Sequence, residues 1–97
     1  MYVRSTSSRV DVAKIKQATA AFREHVIPLC RQQTGFKGGY VLADRASGKA
    51  SILTLWESEV AARAIDGNGV YRQNLAQLAP FLMAPPVLEL FEVIVQM

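Results

Sequence analysis

Apolar residues fall at Val12, Ile15, Ala18, Phe22, Val26 and Leu29, at spacings of three and four. That period predicts one buried face of an amphipathic helix, with Lys14, Lys16, Gln17, Arg23 and Glu24 on the wet side. Ser8 or Asp11 is suited to cap it. Pro28 lies inside the pattern and is expected to kink the last turn, and Gly35 to end it. Before the helix, residues 2–6 (YVRST) read as a modest strand. After it, residues 36–44 (FKGGYVLAD) and 50–57 (ASILTLWE) flank a turn at 44–49 and predict a β-hairpin. The Gly38–Gly39 pair allows a bulge, and Gly48 is expected at positive φ. Ser58 opens a second helix through about Ile65, "DGNG" at 66–69 interrupts it, and 70–79 resumes helical spacing. Residues 80–86 (PFLMAPP) suit neither regular helix nor strand, and 87–96 (VLELFEVIVQ) predicts the last and strongest strand.

The order β-α-β-β-α-β predicts an α+β, ferredoxin-like domain: a four-stranded antiparallel sheet with both helices on one face. On the third strand Ile52, Thr54 and Trp56 alternate with Leu53 and Leu55. On the fourth, Val87, Phe91, Val93 and Val95 alternate with Leu88, Leu90 and Ile94. Both sheet faces are therefore apolar, while two helices cover only one. A bare second face would exceed the few hundred Å² of apolar patch that monomers usually tolerate. The expected solution is a homodimer with sheets packed face to face.

Ninety-seven residues make a single domain, 1–97, that is marginal alone and gains from a partner. Half the residues are hydrophobic and a fifth are charged, an ordinary globular balance. The net charge is +3, but the basic residues are scattered, which argues against nucleic-acid binding. Cys30 is alone, so no internal disulfide forms and a cytoplasmic setting is the default. Neither a signal-peptide core nor a run of about 18 apolar residues occurs, so no membrane association is expected. The single histidine, His25, has no matched Cys, Asp or Glu cluster, so no metal is expected.

The segment "GFKGGYVLADRASGKASILTLWESEVAA" resembles the antibiotic-biosynthesis-monooxygenase-like family, and the tail "PFLMAPPVLELFEV" is similar to its final segment. The Gly-Phe start, the Gly-Lys turn and the strand ending Leu-Trp-Glu-Ser carry the likeness, which extends over nearly the whole chain. It implies a dimeric α/β barrel. The family's chemistry is diverse: some members oxygenate polycyclic phenols without metal or flavin, some degrade haem, and others act on small quinones. The anthrone-oxidising members use an Asn four residues before the Trp, a Tyr six residues after it, and an Arg on the second helical segment. Trp56 matches, Ile52 stands at the Asn position and Ala62 at the Tyr position, and Arg72 lies within one residue of the Arg position. Haem degradation needs a His on the second helical segment, which is absent here.

The resemblance thus implies a cofactor-independent monooxygenase of a small hydrophobic aromatic or quinol-type substrate, with no cofactor. Trp56 and Arg72 are the candidate catalytic residues. Tyr40, Ile52, Tyr71, Phe81 and Met83 are the candidate pocket residues, around a site bounded by Trp56, Arg72 and the 80–83 loop. Trp56 also reads as a structural plug, since an indole this large is usually part of a core. A binding or stress-response module on the same barrel is the alternative function. An RNA-binding ferredoxin-like domain is a third, though "ASILTLWE" lacks the aromatic motif such domains carry on that strand.

Overall fold

The computed structural model describes all residues, 1–97. Strands β1 (Tyr2–Arg9), β2 (Phe36–Ala43), β3 (Lys49–Trp56) and β4 (Val87–Glu92) form one sheet in the order β2-β3-β1-β4. Every neighbouring pair is antiparallel. Four helices accompany it: α1 (Ile15–His25), α2 (Ile27–Arg31), α3 (Glu59–Ala64) and α4 (Gly69–Ala76). This is the expected α+β, ferredoxin-like arrangement.

The first predicted helix divides in two. A short 3-10 turn at Val12–Lys14 leads in, with Asp11 as its cap: the carboxylate accepts from the Ala13 amide at 3.1 Å. Helix α1 then stops at Val26, and Pro28 sits in the first turn of α2. The missing N–H of proline costs nothing in a first turn, so the chain restarts the helix rather than bending through it. Ser58 caps α3 by accepting from Ala61 N–H at 3.2 Å, and Asn68 caps α4 by accepting from Tyr71 N–H at 3.0 Å. The "DGNG" interruption thus contains its own restart signal.

The β2–β3 hairpin carries the predicted irregularities. Its register shifts between Phe36 and Gly38, and Gly38 has φ of +131°, which a side chain would rarely accept. At the turn, Gly48 has φ of +79° and stands where any Cβ would press on the Val10 carbonyl at 2.6 Å. Asp44 accepts from the Ala46 amide at 2.9 Å, and this bond holds its carboxyl below the ordinary range.

Two strand boundaries differ from the pattern. Strand β1 runs to Arg9, past the expected 2–6, because the polar run Ser7–Arg9 still pairs with Lys49–Ser51. Strand β4 ends at Glu92 rather than 96. Its only partner is β1, Glu92 pairs with Tyr2, and Val93 N–H reaches the Met1 carbonyl at 2.8 Å. The partner strand runs out there, so a β-prone sequence at 94–96 has no strand left to pair with. Residues 80–86 contain one 3-10 turn, Ala79–Phe81, then irregular chain tied to β1 by Met83 N–H to the Arg9 carbonyl at 2.7 Å.

The core lies between sheet and helices. Trp56, Val26, Ile65 and Ala62 are essentially sealed, with Phe22, Cys30, Tyr71 and Leu78 around them. The opposite sheet face has no helix over it. Its register brings together Val3, Leu53, Leu55, Tyr40, Leu42, Val87 and Phe91, and the last four are exposed.

Candidate functional site

On the helix side of the sheet a cleft of about 620 Å³ opens between helices α1–α2 and strands β2–β3. It exists because the two sides meet unevenly. Gly38 and Gly39 offer no side chains, and Thr19 and Ile15 project from the first turns of α1, so the far end of the hairpin is left underpacked. On the other side, Trp56, Ile65 and Tyr71 fill the space under α3 and α4.

Ile52 and Thr54 form the floor of this cleft from β3, Phe22 and Cys30 its inner wall. Thr54 is buried and accepts a hydrogen bond from the Trp56 indole N–H at 2.9 Å. A hydroxyl carries one donor and two acceptor positions. With the indole on an acceptor position, the Thr54 O–H is left to donate. Phe36 meets Trp56 edge to face, ring centroids 5.4 Å apart, and lines the cleft itself. Trp56 is 1% exposed and does not reach the opening, so the indole contacts the site through Thr54 and Phe36.

The remaining sequence candidates are not gathered in one place. Tyr40 borders the cleft from β2, but its pairing with Leu53 sends its side chain to the outer sheet face, where it is 65% exposed. Tyr71 lies in the core, and burial pushes its phenol up to about 12. Phe81 and Met83 belong to the turn beside β1, away from the cleft, and Met83 is exposed. Arg72 lies outside it too. Its guanidinium donates twice to the Asp66 carbonyl, the Nε contact at 2.8 Å, and so braces the loop between α3 and α4. The opening therefore lies beside α1 and α2, not between Arg72 and the 80–83 loop: the bulky Tyr71 and Trp56 occupy the space that a cleft under α4 would need.

Three features went unread in the sequence. Thr54 shares the strand parity of Ile52 and Trp56, the one signal that could have marked it. Arg4 is buried at the centre of β1. It donates to the Ala62 carbonyl at 2.9 Å and makes a bidentate pair with Asp66, at 2.7 and 3.1 Å. Only its position, flanked by strand residues on the helix-facing parity, hints at this. Cys30 belongs to the core, and burial pushes its thiol up to about 11, with an opposing pull from the Arg4 cation. It lines the cleft in its unreactive, protonated form.

No His, Asp or Glu lines the cleft. No cluster of three His, Cys, Asp or Glu side chains occurs anywhere in the chain. No helix is long and apolar enough to cross a membrane. What the arrangement offers is an apolar slot with one oriented hydroxyl donor and cationic side chains toward solvent.

No family model and no curated protein sequence matches the chain. Solved structures do. A monooxygenase from Streptomyces coelicolor in complex with the ligand Nanaomycin D superposes with a TM-score of 0.82 at 23% identity, covering 99% of this chain and 89% of that one. A Caulobacter crescentus protein named for antibiotic biosynthesis monooxygenases gives 0.79 at 17% identity, covering 97% and 90%. Another so named, from Nitrosomonas europaea, gives 0.77 at 15% identity, covering 98% and 100%. A further Nitrosomonas europaea structure with the same likeness, 0.76 at 14% identity, has no known function. Identities this low speak for architecture and not for chemistry. The chain has the ferredoxin-like α+β fold of the antibiotic biosynthesis monooxygenases.

Proposed function

We propose that the chain is one subunit of a homodimeric, cofactor-independent monooxygenase acting on a small hydrophobic aromatic or quinol-type substrate. The observation that carries this reading is the apolar cleft of about 620 Å³, floored by Ile52 and Thr54, in a fold shared with a ligand-bound monooxygenase. Its volume lies in the range of about 300–1,000 Å³ usual for small-molecule sites.

The chemistry asks little of the protein. A deprotonated, electron-rich phenol passes electrons to dioxygen, and a hydroperoxide forms at a ring carbon that carries hydrogen. Loss of water then leaves a quinone: one oxygen atom becomes the new carbonyl, the other departs as water, and the substrate supplies all the electrons. The cleft has no side chain able to act as a base at neutral pH, since Cys30 is held protonated. The phenol proton therefore leaves to water through the open mouth. Thr54 donates to the phenolate oxygen, and Trp56 positions that donor. Arg72 acts by bracing the 66–69 loop.

The homodimer rests on the outer sheet face, where exposed Tyr40, Leu42, Val87 and Phe91 surround Leu53 and Leu55. A cytoplasmic setting fits the lone free cysteine. The lack of a base favours one second reading, a module that binds the same ligands without turnover. Oxygen uptake by purified, metal-free protein with a panel of anthrones and hydroquinones separates the two. Uptake with quinone formation is the expected result. No uptake, with quenching of Trp56 fluorescence by the same compounds, would leave the binding module.

A further inference from the structure

The cleft has a charge pattern that the oxygenase reading does not use. Arg23 and Arg31 come to it from the helices, and Arg45 from the β2–β3 turn, so cations approach its mouth from two sides. All three side chains are exposed, and none makes an ion pair or hydrogen bond within the chain. The Asp66 and Glu59 carboxylates are engaged elsewhere, by Arg4 and Arg63. Not one of the lining residues is acidic. Of the two lining threonine hydroxyls, that of Thr19 donates to the Ile15 carbonyl at 2.8 Å, so at the inner end the buried Thr54, which accepts from the Trp56 indole, is the one left to donate. Between the two ends the wall is Phe22, Ile52, Ile27 and Phe36.

We infer that this cleft takes an aromatic anion: a flat ring body with an acceptor oxygen at its inner end and a carboxylate at its outer end. The inner oxygen accepts from Thr54, the rings lie along the apolar wall, and the carboxylate lies at the rim in the combined field of Arg23, Arg31 and Arg45. A cation near an exposed anion is worth about a two- to fivefold gain in affinity, so three acting together give about tenfold or more. Unpaired cations around a mouth without acids also repel positively charged ligands of the same shape. This inference rests on the cleft being the ligand site, but not on turnover there.

Calorimetric titration with 6-hydroxy-2-naphthoate, whose hydroxyl and carboxylate stand at opposite ends of the ring system, and with its neutral methyl ester tests it. The acid is expected to bind about tenfold tighter than the ester, and its advantage to shrink as salt is added. Arg45→Gln and Arg23→Gln are each expected to weaken the acid about two- to fivefold and leave the ester unchanged. Lys16→Gln removes the same charge from the wet face of α1 and is expected to change neither. Thr54→Val is expected to weaken both ligands, and Thr54→Ser to restore them. Equal affinity for acid and ester, or equal effects of Lys16→Gln and Arg45→Gln, would overturn the anion assignment while leaving the cleft as the site. Failure of both ligands to bind would overturn the cleft itself as a ligand site, and this inference with it.

Discussion

Asp66→Ala is expected to destabilise the protein more than Arg4→Met, although both variants break the same ion pair. The reason is the uneven burial of the partners: the Arg4 side chain is 8% exposed and that of Asp66 48%. Removing Asp66 leaves a guanidinium inside the protein that cannot shed its proton, with only the Ala62 carbonyl, at 2.9 Å, still accepting from it. Stranding a fully buried charge costs about 3–5 kcal/mol. Water reaches the Asp66 side, so about 2–3 kcal/mol is the reasonable figure here. Removing Arg4 instead leaves a carboxylate that water can solvate. Methionine keeps much of the apolar stem, and the loss is chiefly the bond to the Ala62 carbonyl, about 1 kcal/mol. Urea titrations at one fixed protein concentration measure both, since a dimer makes stability depend on concentration. For a domain of this size the melting points should fall by about 10–20 °C for Asp66→Ala and about 4–8 °C for Arg4→Met. Equal losses, or a larger loss for Arg4→Met, would refute the reasoning. Because Asp66 also begins the loop that Arg72 braces, Arg72→Gln should raise proteolytic nicking at 66–69 while changing the melting point little.

Thr54→Val should cost about 1–3 kcal/mol in chemical denaturation, because the Trp56 indole N–H would be left buried without an acceptor; a neutral effect would mean that water or another group replaces the hydroxyl. Alkaline pH should destabilise the fold. Cys30 and Tyr71 are raised from 9.0 to about 11 and from 10.0 to about 12. Their protonated forms therefore favour folding fully below about pH 9, and this contribution is lost as pH rises through the folded values. Tyr71→Phe should flatten the fall in urea midpoint above pH 10; an unchanged slope would show that Tyr71 is not responsible. Phe91→Lys, which puts a charge on the outer sheet face, should turn a dimer into a monomer by sedimentation at micromolar concentration. A wild-type protein that already sediments as a monomer would remove the dimer from the proposed function.

Much of this fold was legible because period and punctuation are local. Spacings of three and four marked α1, alternation marked β3, and Asp11, Ser58, Gly38 and Gly48 act within a few residues of where they stand. Even the two apolar faces of the sheet followed from alternation alone. Strand limits did not, because pairing decides them: β1 gained Ser7–Arg9 from its neighbour, and β4 lost residues 93–96 when β1 ran out. The site was the least legible part. Trp56 and Ile52 share a strand and a parity, yet one is sealed under α3 and the other floors an open cleft, because only the first has Tyr71 and Ile65 packed over it. Thr54 became an oriented donor only through a neighbouring indole. Arg23, Arg31 and Arg45 look scattered along the chain, and they border one opening only because a helix pair and a hairpin turn close on it. The sequence by itself determined which residues prefer helix, strand or turn, since those preferences act over a few residues. Which of them touch across tens of positions depends on packing, and only the tertiary structure decided that.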